Sequence, residues 1–196
     1  MRVGLIIYGS LDTISGGYLY DRRLVRYLQE QGDEVQLISL PWTRYGRHLL
    51  HNIDPALWQQ LQQASFDLLL QDELNHPSLF WLNKQLRSQI SFPMVSIVHH
   101  LRSSERHASP LLNLYRWIER QYLRTIDGFI FNSETTRAAV EVVSGEQKPH
   151  VVAYPAADHG QVVVNRTSIT SRAHEAGPLR LLFVGNVIPR KGCDVL

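Results

Sequence analysis

The 196-residue sequence has a single cysteine, Cys193, and no long hydrophobic run. One cysteine excludes an internal disulfide and a zinc site built from cysteines. The apolar run from Met1 to Tyr8 is too short for a secretory leader or a bilayer span, so we expect a cytosolic protein. Lysine is also scarce, at three of 20 cationic residues, and a formal net charge of +2 is too small to indicate nucleic-acid binding.

Short apolar runs alternate with helical patterns over the first 155 residues. This alternation predicts an α/β fold with a doubly wound, mostly parallel sheet, and hence a Rossmann-like lobe. The predicted strands lie at about 3–8, 34–40, 67–71, 94–98, 127–131 and 151–153. The predicted helices lie near 20–32, 55–63, 77–90 and 110–125, with one more after 132–133.

The composition changes after residue 155. Residues 156–178 are polar and without periodicity, which predicts an interdomain linker. Residues 179–192 then have the pattern of a parallel strand, a glycine turn, a basic pair and a helix start. No sequence after Leu196 supplies neighbouring strands for it, so we interpret 179–196 as the truncated start of a second lobe.

Two loops at the predicted carboxyl edge of the sheet are candidate ligand sites, because ligands of open parallel sheets bind there. Gly16 and Gly17 precede a helix and allow a ligand anion to approach the backbone N–H groups; the alternative is a permissive turn. His99 and His100 follow strand 94–98 directly, and a histidine there can donate a hydrogen bond or act as a base. The alternative is a histidine that only hydrogen-bonds its own loop.

Further polar groups accompany these loops. Arg102 and Glu105 share the loop of the two histidines, and we expect both to contact an acceptor. Ser133 is interpreted first as a helix N-cap and second as an acceptor ligand. Four residues near the chain end are candidates for binding a diphosphate: Gly185, Asn186, Arg190 and Lys191. The glycine turn would supply backbone N–H groups, and the basic pair would supply positive charge.

Helix 110–125 carries two stripes. Its predicted buried stripe is Leu111, Leu114, Tyr115, Ile118 and Tyr122. Arg116, Arg120 and Arg124, spaced four apart, form a basic stripe that would suit an anionic membrane or an acidic acceptor. The alternative is a solvated helix face partly neutralised by Glu119.

With these motifs in order along nearly the whole chain, the sequence resembles the amino-terminal lobe of a retaining glycosyltransferase of the GT-B fold, family 4 (group 1). Four segments carry the resemblance: the Gly16–Gly17 loop, the strand end Val98-His99-His100, the segment 127–133 and the segment 183–192. The last is the most specific, because it resembles the entry into the donor-binding lobe of that family.

The resemblance implies transfer of a sugar from a nucleotide-diphosphate donor to a sugar, lipid or other small acceptor, with retention and without a metal or cofactor. It implies that Gly16 and Gly17 lie near the donor phosphates, that His99 lies near the transferred sugar and that Lys191 contacts the diphosphate. Asn186 stands where many relatives carry an arginine. Because the family's later pair of glutamates would lie beyond Leu196, we expect this chain alone to be inactive or very weakly active.

Other function classes share parts of the pattern. A nicotinamide dehydrogenase would need Gly-x-Gly-x-x-Gly after the first strand and an acidic residue after the second, but the sequence has Gly9-Ser10-Leu11 and Ser39-Leu40-Pro41. A metal-dependent transferase of the other common fold would need Asp-x-Asp, which does not occur. A nucleotide-sugar epimerase lobe and a non-catalytic acceptor- or membrane-binding module remain open alternatives.

Overall fold

A computed structural model of the chain describes residues 1–105, 108–155, 165–175, 177–178 and 182–183. The chain divides into two units, residues 1–155 and residues 156–196. The first unit holds every candidate site residue that the structure describes.

The first unit contains a six-stranded parallel sheet, which confirms the predicted fold class. The strand order is β2-β1-β3-β4-β5-β6. In β1 every residue from Val3 to Tyr8 is buried, because helices cover both faces of a parallel sheet. The strands are β1 (Arg2–Tyr8), β2 (Glu34–Leu40), β3 (Leu68–Asp72), β4 (Met94–Val98), β5 (Gly128–Phe131) and β6 (His150–Val152).

Helices connect these strands. In the first unit they are α1 (Gly16–Glu30), α2 (Tyr45–His48), α3 (Pro55–Gln62), α4 (His76–Leu86), α5 (Ser109–Thr125) and α6 (Glu134–Ser144). Side-chain N-caps fix three of their starts: Ser15 for α1, Asp54 for α3 and Ser133 for α6. Short 3₁₀ turns lie at Leu49–Ile53, Glu73–Asn75 and Arg102–Ser104.

The apolar core lies on both faces of the sheet. One cluster includes Ile6, Leu61, Leu82 and Tyr122. The other includes Val3, Leu5 and Ile7 of β1 together with Tyr18 and Val25 of α1. Burial of this apolar surface holds the strands in place and so fixes where each post-strand loop begins.

The buried stripe of α5 differs from the prediction. Tyr115, Ile118 and Tyr122 are buried as predicted, but Leu111 and Leu114 are exposed. The first turns of α5 extend past the region that packs on the core, so an apolar periodicity there does not lead to burial. Glu119 is also fully buried and accepts a hydrogen bond from the Ser103 N–H, so it does not neutralise the arginine stripe.

The second unit contains a helix that the sequence analysis did not predict, α7 (Arg166–Ala173), within the segment interpreted as a linker. Asn165 caps it by accepting a hydrogen bond from the Ser168 N–H at 3.2 Å. None of its residues is buried, which explains why no apolar periodicity indicated it. Apart from Leu182 and Phe183, residues 179–196, interpreted as the start of a second lobe, lie outside the described residues.

Candidate active site

The candidate site lies at the carboxyl edge of the sheet, where the strand order reverses. The chain passes from β1 to β2 on one side and then to β3 on the other side of β1. In open α/β sheets such a reversal opens a crevice beyond the strand ends, and ligands bind in it. Here β1 ends at Tyr8, β3 ends at Asp72, and the loop after the adjacent β4 begins with His99.

The imidazole of His99 is fixed by contacts on several sides. Its Nε2 lies 3.1 Å from Asp21 Oδ1, and the ring of Tyr20 packs edge-on at a centroid distance of 5.1 Å. The backbone carbonyl of His99 accepts a hydrogen bond from Asn132 Nδ2 at 3.0 Å. With a side chain that is 16% exposed, His99 combines a fixed orientation with access to a ligand.

The electrostatic surroundings of His99 favour its charged form. Burial by itself lowers the pKa of the imidazole, but the hydrogen bond and charge of Asp21 outweigh burial and raise the pKa above its usual value, with smaller contributions from Asp72 and Glu73 where these are ionised. His99 is therefore better suited to donate a hydrogen bond to an anionic or hydroxyl oxygen than to act as a base.

Gly16 and Gly17 form the first residues of α1 rather than a loop before it. A Cβ on Gly17 would stand 3.2 Å from His99 Cδ2, closer than most real Cβ contacts, so a side chain there would press on the imidazole. A Cβ on Gly16 would meet nothing within 4 Å. The helix start thus lies directly beside His99, with its free N–H groups at the carboxyl edge of the sheet.

Sequence reasoning missed three acidic residues of this region. Asp21 on α1 and Asp72 and Glu73 at the end of β3 are all buried. Burial, followed by the charge of Asp21, raises the pKa of Asp72 to about 8, and burial raises the pKa of Glu73 to about 8. The polar sequence Gln71-Asp72-Glu73 directly after an apolar strand was the signal that could have identified the second and third of them.

A second polar cluster lies next to Glu73. Its members are Glu73, His76 and Glu119, all buried, with Tyr45 at its margin. Burial lowers the pKa of His76 to about 4, so this imidazole is neutral at pH 7. Its Nδ1 donates to the Glu73 carbonyl at 3.0 Å, which leaves Nε2 to accept a hydrogen bond from the Tyr45 hydroxyl at 3.1 Å. Although Glu73 Oε1 lies 3.1 Å from His76 Nδ1, both groups are neutral and form no ion pair.

Two groups of side chains have the composition of a metal site. The ligand atoms of Asp21, Asp72 and His99 lie within 4.8 Å of one another, and so do those of Glu73, His76 and Glu119. However, the Nε2 of His99 already has a partner, as do both ring nitrogens of His76. The geometry alone therefore assigns neither group to a metal.

The structure places the other predicted residues as follows. The guanidinium of Arg102 stacks on the rings of Tyr45 and Tyr115, at 5.1 and 4.7 Å from their centroids. His100 Nε2 lies 3.8 Å from Glu105 Oε1; both side chains are partly exposed, although His100 Nε2 itself is buried.

Ser133 Oγ accepts a hydrogen bond from the Thr136 N–H at 3.2 Å, in agreement with its first interpretation as an N-cap. The predicted donor-side residues Gly185, Asn186, Arg190 and Lys191 lie outside the described residues.

Residues 14–157 match the family model of the glycosyl transferase 4-like domain, and this range covers well over half of the chain. The chain belongs to this family. The match includes α1, the histidines after β4 and the start of α6. The chain is thus a glycosyltransferase domain of an α/β, Rossmann-like fold, and its substrates are a sugar donor and an acceptor.

No curated protein matches the chain significantly. Among the residues that the structure describes, no helix combines the length and hydrophobicity needed to span a membrane.

Proposed function

We propose that residues 1–155 form the acceptor-side lobe of a cytoplasmic, retaining glycosyltransferase that uses a nucleotide-diphosphate sugar. The observation that carries this proposal is the position of His99, which lies at the strand-order reversal beside the first turn of α1 and is held there by Asp21. An oriented imidazole whose charged form is favoured, next to free helix N–H groups, suits a ligand that combines a sugar with a diphosphate.

The proposed roles follow from this placement and from the family resemblance. The N–H groups of Gly16 and Gly17 bind donor phosphate oxygens. His99 donates a hydrogen bond to the transferred sugar, and the partly exposed side chains of His100 and Glu105 contact the acceptor. From the family resemblance alone, Gly185, Asn186, Arg190 and Lys191, which lie outside the described residues, are proposed to bind the diphosphate as it leaves.

The test is a transfer assay with a panel of nucleotide sugars, performed on the full-length protein that carries this sequence. We expect one donor to be consumed only when an acceptor is present, with the anomeric configuration of the donor retained in the product and with activity that persists in EDTA. NMR coupling constants of the product report the configuration. An inverted product contradicts the retaining mechanism, and a new nucleotide sugar formed without an acceptor indicates the epimerase alternative.

We also propose that the lobe binds an anionic membrane surface through α5. Leu111, Leu114 and Trp117 are 48%, 43% and 53% exposed, and Arg116 is exposed beside them. Exposed leucine and tryptophan next to arginine are typical of helices that lie in a membrane interface. Arg120 and Arg124 contribute less than the sequence suggests, because the Nε of Arg120 donates to the Val143 carbonyl and Arg124 lies 3.8 Å from Glu146.

The membrane proposal predicts that the double change Leu114→Glu and Trp117→Glu lowers binding to vesicles containing phosphatidylglycerol at least tenfold. Removing two exposed apolar side chains from the interface loses on the order of 2 kcal/mol or more. Vesicle sedimentation measures the loss. Val142→Glu, at a 79% exposed position on α6, is the matched control. Equal binding by the double variant and the wild type would exclude α5 as the binding surface.

A further inference from the structure

Asp21 occupies a position on α1 where an apolar side chain would be expected. The buried residues of this helix are Tyr18, Asp21 and Val25, which form a single inward-facing stripe. Asp21 is fully buried, and burying a carboxylate costs several kcal/mol unless a partner compensates it. Its partner is His99, which is 78 residues away in the sequence and contacts Asp21 Oδ1 through Nε2.

The contact with Asp21 determines which edge of the imidazole remains available. Nε2 is engaged by Asp21, and the Cδ2 edge faces Gly17, where a Cβ would come within 3.2 Å. Nδ1 has no hydrogen-bond partner among the described residues and is not one of their buried unpaired atoms. Nδ1 is therefore the nitrogen that a ligand can reach.

Asp21 has no access to a ligand of its own. It is fully buried, and its second oxygen, Oδ2, is buried without a hydrogen-bond partner. The acidic groups around His99 come from two directions: Asp21 from α1, and Asp72 and Glu73 from the end of β3. Asn132, just before α6, and Thr136, in its first turn, also hold His99, but both are uncharged and contact its carbonyl rather than its ring.

We propose that Asp21 is a positioning residue for the transfer reaction: it binds the Nε2–H of His99 and so directs Nδ1 at the sugar of the donor. This inference rests on the proposed function for its catalytic consequence. The Asp21–His99 pair itself is a property of the fold and can be tested without any substrate. In the charged ring Nδ1 carries a proton and donates, whereas in the neutral ring held by Asp21 it can only accept.

The first test needs no mutation. Long-range ¹H–¹⁵N spectra of the wild-type protein report which nitrogen of each histidine carries the proton. Above its titration midpoint, His99 is expected to keep its proton on Nε2, because Asp21 accepts it there. A neutral His99 with the proton on Nδ1 would overturn the proposal.

The second test uses Asp21→Asn, which can still accept a hydrogen bond at Oδ1 but lacks the charge. We expect the His99 titration midpoint to fall by about one pH unit or more, since a neighbouring opposite charge shifts a pKa by this amount. We also expect kcat for transfer at neutral pH to fall about tenfold to a hundredfold, with less than a threefold change in KM for the donor. Asp54→Asn, which preserves an N-cap on α3, is the matched control.

The outcomes separate this inference from the proposed function. An unchanged His99 midpoint in Asp21→Asn overturns the positioning role whatever the enzyme does. A lowered midpoint with unchanged kcat also overturns it, because the pair would then be structural only. If the full-length wild-type protein transfers no sugar but the midpoint falls in Asp21→Asn, the proposed function fails, while the Asp21–His99 pair is supported.

Discussion

Replacing His99 with glutamine is expected to lower the rate of sugar transfer by about a hundredfold to a thousandfold. Glutamine can still donate a hydrogen bond to Asp21, so the buried carboxylate keeps a partner and the fold is preserved. What the variant loses is the positive charge and the oriented Nδ1–H at the edge of the crevice. Loss of one oriented donor from a catalytic site has effects of this size.

The measurement for His99→Gln is kcat and KM for the donor across pH 5.5–9. Because the surrounding acids raise the pKa of His99, the charged ring persists to a higher pH than an ordinary histidine. Wild-type kcat is expected to fall as pH rises through the titration midpoint of His99. In His99→Gln, kcat should show no such fall with pH. His150→Gln, at an exposed histidine on β6, is the matched control. A His99→Gln rate within threefold of wild type would contradict the role given to this residue.

The same protonation affects stability. A raised histidine pKa means that the stabilisation from the Asp21–His99 contact is fully present below the unfolded-state pKa of about 6.5 and is lost as pH rises through the higher folded-state value. The positive charge of His99 and the stabilisation from the Asp21–His99 contact are therefore both lost as pH rises through the folded-state pKa of His99.

Local signals in the sequence were sufficient to predict most of the fold. Strand β4 was predicted at its observed bounds, 94–98, because Pro93 precedes an apolar run that ends at two histidines. Pro110 marked the first turn of α5, since proline is tolerated there and not further along a helix. Helix α4 ends at Leu86, whereas the predicted helix ran to about residue 90. The prediction was too long because no proline or glycine directly after Leu86 marks the end of the helix.

The site was less predictable because its geometry depends on contacts between distant residues. His99 was predicted from its position after a strand, but no local pattern pairs it with Asp21. Arg102 was predicted from its place in the same loop, but no local pattern indicates that its guanidinium stacks on Tyr45 and Tyr115. Periodicity likewise cannot distinguish an apolar stripe that packs on the core from one that faces outward, which is why Leu111 and Leu114 were expected to be buried.

Substitution of Glu73 is expected to change the pH dependence of the protein's stability rather than its activity. Burial raises the pKa of Glu73 to about 8, from a usual value of 4.5 for a glutamate. Between these values the folded protein holds a proton that the unfolded chain releases, so the free energy of unfolding falls as pH rises. A shift of this size corresponds to roughly 3–5 kcal/mol as an upper bound once pH exceeds 8. The buried His76 has the opposite effect below pH 6.5, but it is common to the wild type and to any Glu73 variant.

Glu73→Gln replaces a buried carboxyl with a neutral group of the same shape, so it should remove this pH dependence. Relative to wild type, the variant is expected to gain about 3 kcal/mol in the free energy of unfolding between pH 5 and pH 8.5, measured by urea denaturation. Glu30→Gln, at an exposed position, controls for the loss of one negative charge. A difference between Glu73→Gln and wild type that does not change with pH would show that Glu73 is ionised in the folded protein. The buried cluster with His76 and Glu119 would then hold a charged rather than a neutral Glu73.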